Sequence, residues 1–262
     1  MPEGPETHRV ADRLRDALAG DALTRVQFIN PALKAFEHAL HGRTVRAVDA
    51  HGKALLTEID GGTTLYTHSQ LFGFWRIDDG TPQPVNATLP RLVLQTARAR
   101  AQLFAAPTIE VLDTGTAHLH PFLAKLGPDV IDAATTPRDM QRQLADVRFA
   151  RKQLADLLLD QAFAAGMGNY LRSEVLHKAC LAPTRTPGSL DPAETRALAS
   201  ALLSVPRASY RAQSREGAEY ASDGVRFVVF DREGEPCPRD GTPIAQIRLA
   251  ARRLYWCPHC QH

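Results

Sequence analysis

Four cysteines in 262 residues are too few, and too unevenly placed, for a disulfide framework. Cys237, Cys257 and Cys260 crowd the last 26 residues, which points to metal ligation in a reducing compartment. Cys180, inside the helix-patterned EVLHKACLAP, reads as a buried core thiol. Long hydrophobic runs are also missing. No stretch approaches the roughly 20 apolar residues that span a bilayer, so no membrane association is expected. The start, MPEGPETHRVADRL, lacks the apolar core of a secretory signal, and a cytoplasmic protein is the expectation. There is no internal repeat. Nor is there an excess of one charge: 31 basic and 29 acidic residues leave a net charge of +2. That balance permits nucleic-acid binding without arguing for it. The local distribution says more, because IRLAARRLYW packs Arg248, Arg252 and Arg253 together with no acid among them.

What is present is a globular composition, 44% hydrophobic and 23% charged, long enough for substantial cores. Residues 5–19 predict an amphipathic helix, with Pro5 in its first turn and Val10, Leu14, Ala17 and Leu18 as the apolar stripe. From about 22 to 115 the texture changes to short β-like runs: LTRVQFI, TVRAVDA, KALLTEI, TTLYTHS, FGFWRI, LPRLVLQT, AQLFAA and TIEVLDT. Turn signals such as DGG and DDGTP divide them, as in a sandwich or barrel. From about 121 the period becomes helical, with helices expected in RDMQRQLADV, RKQLADLLLDQAFAAG, NYLRSEVLHKAC and DPAETRALASALLSV. Residues 206–226 are polar and aperiodic and read as a linker or loop. The final 35 residues read as a small β-hairpin.

The first residues raise a chemical question. Met1 precedes Pro2, a small residue that permits removal of the initiator methionine and exposes a secondary amine. An α-amino group titrates near 7.7–8.0, so about a tenth or more is unprotonated at neutral pH. Such an amine suits attack on a sugar C1′ to give an iminium, with Glu3 beside it to move protons. The bland alternative is a helix start, where prolines and acids are favourable.

PEGPE at the start resembles the signature of the formamidopyrimidine-DNA glycosylase and endonuclease VIII family of base-excision repair enzymes. HGKALL at 51–56 is similar to the family's lysine-bearing turn, and THSQLFG at 67–73 to its intercalating loop. HPFLAKLGPDV, LLLDQAFAAGMGNYLRSE and the C-terminal cysteine hairpin follow in the same order across the whole chain. The resemblance implies an α+β multidomain fold. It has an N-terminal β-sandwich with a leading helix (1–120), a helical helix–two-turns–helix domain (121–226) and a zinc-finger-like hairpin (227–262). It implies Pro2 as Schiff-base nucleophile, Glu3 as proton donor, Lys53 as an aid to glycosidic cleavage and β-elimination, and Arg252 as an aid to δ-elimination. Gln70, Leu71 and Phe72 would fill the gap left by the flipped nucleotide, and this triplet resembles the endonuclease VIII branch more than the oxidised-purine branch. Lys125 stands where endonuclease VIII has a DNA-contacting arginine, keeping the charge without the planar fork. Asn169, opening a helix after GMG, would contact the DNA backbone where helix N–H groups are also on offer. Glu174, further along that helix, would line the site. Arg253 adds a second cation where endonuclease VIII has proline, leaving open which arginine points inward.

The hairpin reads C-x2-D-x16-C-x2-C, one letter away from a strong zinc pattern. One structural zinc is expected on Cys237, Asp240, Cys257 and Cys260, with His262 or His259 as alternative fourth ligands. A carboxylate keeps the formal charge of four thiolates but bonds less covalently, so weaker affinity follows. A hairpin of about 24 residues has almost no core and needs such a staple.

The expected function is a bifunctional DNA glycosylase and abasic-site lyase. It removes oxidised bases, pyrimidines foremost, from damaged double-stranded DNA held between the β-rich and helical halves, and cuts the strand by β,δ-elimination. It is expected to act as a monomer without a nucleotide cofactor, in the cytoplasm and on the nucleoid. The competing readings are a non-catalytic damaged-DNA-binding protein and an oxidised-purine glycosylase of the same family. Residues 211–224, where base recognition would reside, carry no readable pattern.

Overall fold

The computed structural model describes residues 2–81, 89–215, 226–249 and 251–262. They form two compact units, Pro2 with Glu6–Ala124, and Glu3–Pro5 with Lys125–His262.

The first unit begins in α1 (Gly4–Leu18), whose Ala11, Leu14 and Leu18 are buried and whose Val10 and Ala17 pack beside them. The strands are β1 (Arg25–Phe28), β2 (Val45–His51), β3 (Ala54–Ile59), β4 (Thr63–His68), β5 (Phe74–Asp78), β6 (Leu92–Gln95), β7 (Arg100–Phe104) and β8 (Thr108–Asp113). All eight β-like runs are strands. They pair antiparallel into two four-stranded sheets, β1-β6-β7-β5 and β2-β3-β4-β8. Phe28, Val45, Val48, Leu65, Leu92, Leu94 and Leu103 are all fully buried in one core. Each such side chain contributes about 1.5–3 kcal/mol, which drives the sheets together. A short helix, α2 (Lys34–Leu40), had no sequence counterpart. It buries only Leu40 and so shows no apolar stripe; its Glu37 is recruited by the Phe28 N–H at 2.6 Å.

The second unit contains α3 (Pro137–Ala145), α4 (Leu154–Leu157), α5 (Asn169–Ala179), α6 (Pro192–Arg215) and the antiparallel pair β9 (Ala245–Leu249) and β10 (Arg252–Trp256). Three expectations need correction here. The helix expected over 151–166 shrinks to the four residues of α4, and the chain beyond it turns repeatedly. Its backbone bonds elsewhere, Gly127 N–H to Gln161 O and Ala165 N–H to Pro128 O, while Gln161 Nε2 holds Met167 O. Leu154, Leu157, Leu158, Phe163, Ala164 and Ala165 are all fully buried, so apolar spacing could not separate helix from buried turn. Conversely, α6 runs on through Pro206 to Arg215, where a loop was expected. Arg207 holds this extension by donating to the carbonyls of Val130, Asp132 and Thr135. The remainder of the 211–224 stretch, from 216 onward, lies outside the described residues. Lastly, Cys180 is a half-buried left-handed cap of α5, with the Arg239 guanidinium on its sulfur, and not a core thiol.

The hairpin also has more support than expected. Leu254 is fully buried in the helical core, with Ile247, Leu249 and Trp256 packed against it. Val229, Ile244, Tyr255, Cys237 and Cys257 form a further small core.

Candidate active site and metal centre

In the sandwich unit, β2 and β3 are joined by a two-residue turn between the paired His51 and Ala54. Gly52 takes φ 60°, the left-handed first position that such hairpin turns assign to glycine. Lys53 follows at the tip, half-buried. His68, at the end of β4, lies within its field. Burial first, and then the Lys53 charge, lower the pKa of His68. Phe122 packs edge-on against the His68 ring, with centroids 5.2 Å apart. His68 Nδ1 accepts the Gln70 N–H at 3.1 Å, and Gln70 adopts a left-handed φ of 48°. The next turn closes with Gly73 N–H on Ser69 O at 2.8 Å. This loop presents Leu71 and Phe72 to solvent, 56% and 77% exposed, while Gln70 Nε2 reaches Thr108 Oγ1. Two large apolar side chains held out by a tight turn are not core residues.

In the second unit, Glu3 is 1% exposed. Its Oε1 accepts the Tyr170 N–H at 2.9 Å and its Oε2 the Leu171 N–H at 3.2 Å. The carboxylate therefore caps α5 from a distant part of the chain, where the helix dipole favours it. Gly168, the residue before the helix, makes no side-chain cap, because a Cβ there would collide with that carboxylate. Gly4 N–H donates to Gly166 O at 2.8 Å, so the N-terminal segment is laced along the glycine turn. The N–H groups expected to be on offer to a phosphate are thus taken by Glu3.

Asn169 turns to the hairpin instead. Its Nδ2 donates to Arg253 O at 3.0 Å, and its Oδ1 accepts from Arg172 at 2.7 Å. Arg252 and Arg253 are exposed neighbours on β10, and strand alternation sends them to opposite faces. The Arg253 side chain serves the Tyr255 hydroxyl, which also donates to Asp231 at 3.0 Å. The Arg252 charge acts on buried Arg172. That charge reaches the residue that is hydrogen-bonded to Asn169. Arg172 had not been singled out from sequence. A cation three residues after an asparagine at the start of the helix was the available signal. Glu174 does not line this site: its oxygens take the N–H groups of Val228, Val229 and Phe230, each at 2.9 Å, anchoring the segment that leads to the hairpin. Lys125 is exposed at the start of the unit.

At the far end of the hairpin, ligand atoms of Cys237, Asp240, Cys257 and Cys260 all lie within 4.8 Å of one another. A tetrahedral zinc with about 2.3 Å bonds to sulfur sets sulfurs about 3.8 Å apart and sulfur and oxygen about 3.6 Å apart. Cys237 and Cys260 sulfurs stand 3.9 Å apart, and Asp240 oxygens lie 3.5 and 3.6 Å from Cys257 Sγ. Three soft thiolates and one carboxylate in this geometry fit one structural zinc. His259 Nδ1 lies 3.2 Å from Asp240 Oδ2, outside the ligand cluster, where it orients the carboxylate. His262 is not in the cluster either; its backbone is tied to Cys180 and Ala182. Within this unit the fold brings Glu3, Asn169 and Arg252 to one neighbourhood, while Lys53, Gln70, Leu71 and Phe72 belong to the sandwich.

A sandwich with an exposed apolar loop, a helix capped by an N-terminal carboxylate and a hairpin whose cysteine cluster fits one zinc define a DNA-repair class of fold. Solved structures with it include a complex of Lactococcus lactis Fpg with DNA containing an abasic site, at a TM-score of 0.86, 22% identity and 99% coverage of both chains. A complex of that enzyme with DNA carrying N7-benzyl-Fapy-dG aligns over 100% of both chains at the same TM-score and 23% identity. Family models match at 1–107 (formamidopyrimidine-DNA glycosylase N-terminal domain), 126–216 (its H2TH domain) and 234–262 (the zinc finger found in FPG and IleRS). Among relatives, endonuclease 8 from an Escherichia coli O17:K52:H18 strain is 46% identical and that from Klebsiella pneumoniae 44%, each over 100% of both chains. The chain belongs to the formamidopyrimidine-DNA glycosylase family. Among the described residues no helix is long and apolar enough to cross a membrane.

Proposed function

We propose that this family member, a base-excision-repair DNA glycosylase and abasic-site lyase, works through Pro2 and prefers oxidised pyrimidines in double-stranded DNA. The observation that carries the reading is the Glu3 carboxylate, clamped by two α5 N–H groups and bonded directly to the residue that becomes the N-terminal amine. A flipped nucleotide costs a few kcal/mol of stacking. Leu71 and Phe72 refill the stack and Gln70 offers its amide to the widowed base. The Pro2 nitrogen attacks C1′, the C1′–base bond breaks, and the base leaves with a proton while Lys53 assists; Glu3 takes the proton the amine loses and gives it to the ring oxygen as the C1′–O4′ bond opens, leaving an iminium at C1′. The resulting iminium acidifies C2′. Loss of that proton expels the 3′ phosphate (β-elimination), and a second elimination aided by Arg252 expels the 5′ phosphate. Water then returns the amine. Asn169 and Arg252 hold phosphate during these steps, and Lys125 adds charge.

Cys237, Asp240, Cys257 and Cys260 would hold the zinc, which when bound keeps the two hairpin strands in register. The division of labour we propose is a catalytic sandwich (1–120), a helical DNA-binding part (121–226) and a hairpin (227–262), acting as a monomer without a nucleotide cofactor, in the cytoplasm and on the nucleoid. Full-length likeness to endonuclease 8 and the Gln70–Leu71–Phe72 triplet support the pyrimidine preference.

Borohydride trapping on abasic-site DNA tests the chemistry, with Met1 removal verified by mass spectrometry. A covalent adduct abolished by Pro2→Gly is expected. A correctly processed chain that binds DNA and yields no adduct is a binding protein instead. On a lesion panel, thymine glycol should be excised at least about tenfold faster than 8-oxoguanine, a difference of about 1.4 kcal/mol in barrier; the reverse order would place the enzyme in the purine branch.

A further inference from the structure

Arg172 is the largest fully buried side chain among the described residues. A buried cation is costly unless paired, yet each of its hydrogen bonds goes to a neutral oxygen, while the Asp156 and Glu3 carboxylates act on it through their field. It donates to Ala155 O at 3.0 Å, to Arg253 O at 3.2 Å and to Asn169 Oδ1 at 2.7 Å. Its Nε finds no acceptor. This is more than packing requires, since a leucine would fill an apolar helix face without any such cost.

The bonds explain the arrangement. An asparagine amide has one acceptor oxygen and two donor hydrogens, and the two ends differ only in chemistry. With Arg172 on Oδ1, flipping the amide would set its NH2 against a guanidinium. Only one orientation survives, with Nδ2 turned to Arg253 O and able to offer its second hydrogen outward. The same guanidinium also holds Arg253 O, whose residue is bonded to Arg252. One buried fork therefore sets both the Asn169 amide and the strand that carries Arg252.

We propose that Arg172 is a positioning residue that locks Asn169 and the Arg252 strand into a single clamp for a DNA phosphate. This rests on the reading of Asn169 and Arg252 as phosphate contacts. Burial first, and then Arg252, bring the pKa of Arg172 down to about 10, so it stays charged at neutral pH. Arg172 and Arg252 repel each other, the Asp156 and Glu3 carboxylates offset this through their field, and an incoming phosphate adds further counter-charge at the clamp.

The test is a double-mutant cycle in the full-length, zinc-loaded protein, measuring affinity for a duplex with a tetrahydrofuran abasic analogue. Arg172→Lys keeps the charge and loses the fork; Asn169→Ala removes the positioned amide. Each should weaken binding about tenfold, the scale of one hydrogen bond to a charged group. The double variant should be no weaker than the weaker single, because both remove the same contact. Melting curves establish that each variant is folded at the assay temperature. Should Arg172→Lys not fold, the cycle is run with Arg172→Gln, which removes the buried charge altogether. If Asn169→Ala weakens binding and the folded Arg172 variant does not, the inference falls and the phosphate reading stands. Additive losses would also overturn it, since Arg172 would then act without Asn169. If Asn169→Ala binds like the parent, the phosphate reading fails and the inference fails with it.

Discussion

The carboxylate of Glu3 occupies the space that a side chain at Gly168 would fill: a Cβ there would lie 2.6 Å from Glu3 Cγ and closer still to the carboxyl group. Gly168 has φ −145°, extended backbone that any residue adopts, so the glycine is needed for room and not for conformation. Gly168→Ala should therefore expel the carboxylate from the α5 N-terminus. Base excision should fall at least about 100-fold, the low end of what a positioned proton-transfer group supplies. Single-turnover excision on a duplex lesion measures it, and parental rates would mean that Glu3 is not needed where it sits.

His68 holds the loop that carries Leu71 and Phe72 through one nitrogen. Asn places its Oδ1 where Nδ1 stands and Gln mimics the other ring nitrogen. His68→Asn should then keep affinity for lesion duplex within about threefold, while His68→Gln loses about tenfold, one neutral hydrogen bond plus loop disorder. The pH dependence has a definite sign. Burial, then Lys53, lower the folded pKa, whereas the unfolded chain protonates near 6.5. The stability contributed by neutral His68 is complete above about 6.5 and is lost as pH falls through the lower folded value. An NMR titration that found His68 protonating above 6.5 would refute this.

Leu71 and Phe72 are exposed at 56% and 77%, so truncating them removes little native packing. Leu71→Ala and Phe72→Ala should leave the melting temperature within about 2 °C, as surface substitutions do. Each should weaken binding to a flipped-base duplex by about 1–3 kcal/mol, the range for a base-stacking side chain. A drop in stability with unchanged DNA affinity would assign them to the fold.

Asp240 is the hard ligand in a soft set. Asp240→Cys should hold zinc more tightly and Asp240→Ala less tightly, read by competition with a chromophoric chelator. The parent should lose DNA cleavage to chelation before the Asp240→Cys variant does. Stoichiometric analysis showing no zinc in an active preparation would end the metal reading.

Much of this was legible from local chemistry. The eight β runs alternate, α5 and α1 carry periodic stripes, and the cysteine spacing announces a metal knuckle; each signal resides within a few residues of chain. The site's inner supports were not legible. Arg172 lies in NYLRSEVL as one cation on a helix of mixed polarity, and nothing local says that it will meet Arg253, 81 residues away. Glu174 reads as a site residue, yet it is a backbone anchor for Val228–Phe230. Residues 151–166 look helical because their buried Leu, Phe and Ala recur at helix-like spacing although the chain from 158 turns instead.

The sequence by itself determined the eight strands, the order of the motifs and the set of reactive groups: a prolyl amine in waiting, a carboxylate beside it, a turn lysine, a hairpin arginine and four metal donors. These follow from propensity, spacing and intrinsic acidity, which act over a turn or two of chain. Only the tertiary structure decided their use. It placed Glu3 on the α5 N-terminus, tied the Arg253 carbonyl to Asn169 and Arg172, and set His259 on Asp240 instead of in the ligand set. Those choices depend on which distant donors meet which acceptors once the cores close, because a buried polar group must find a partner and the nearest one in space is seldom the nearest in sequence.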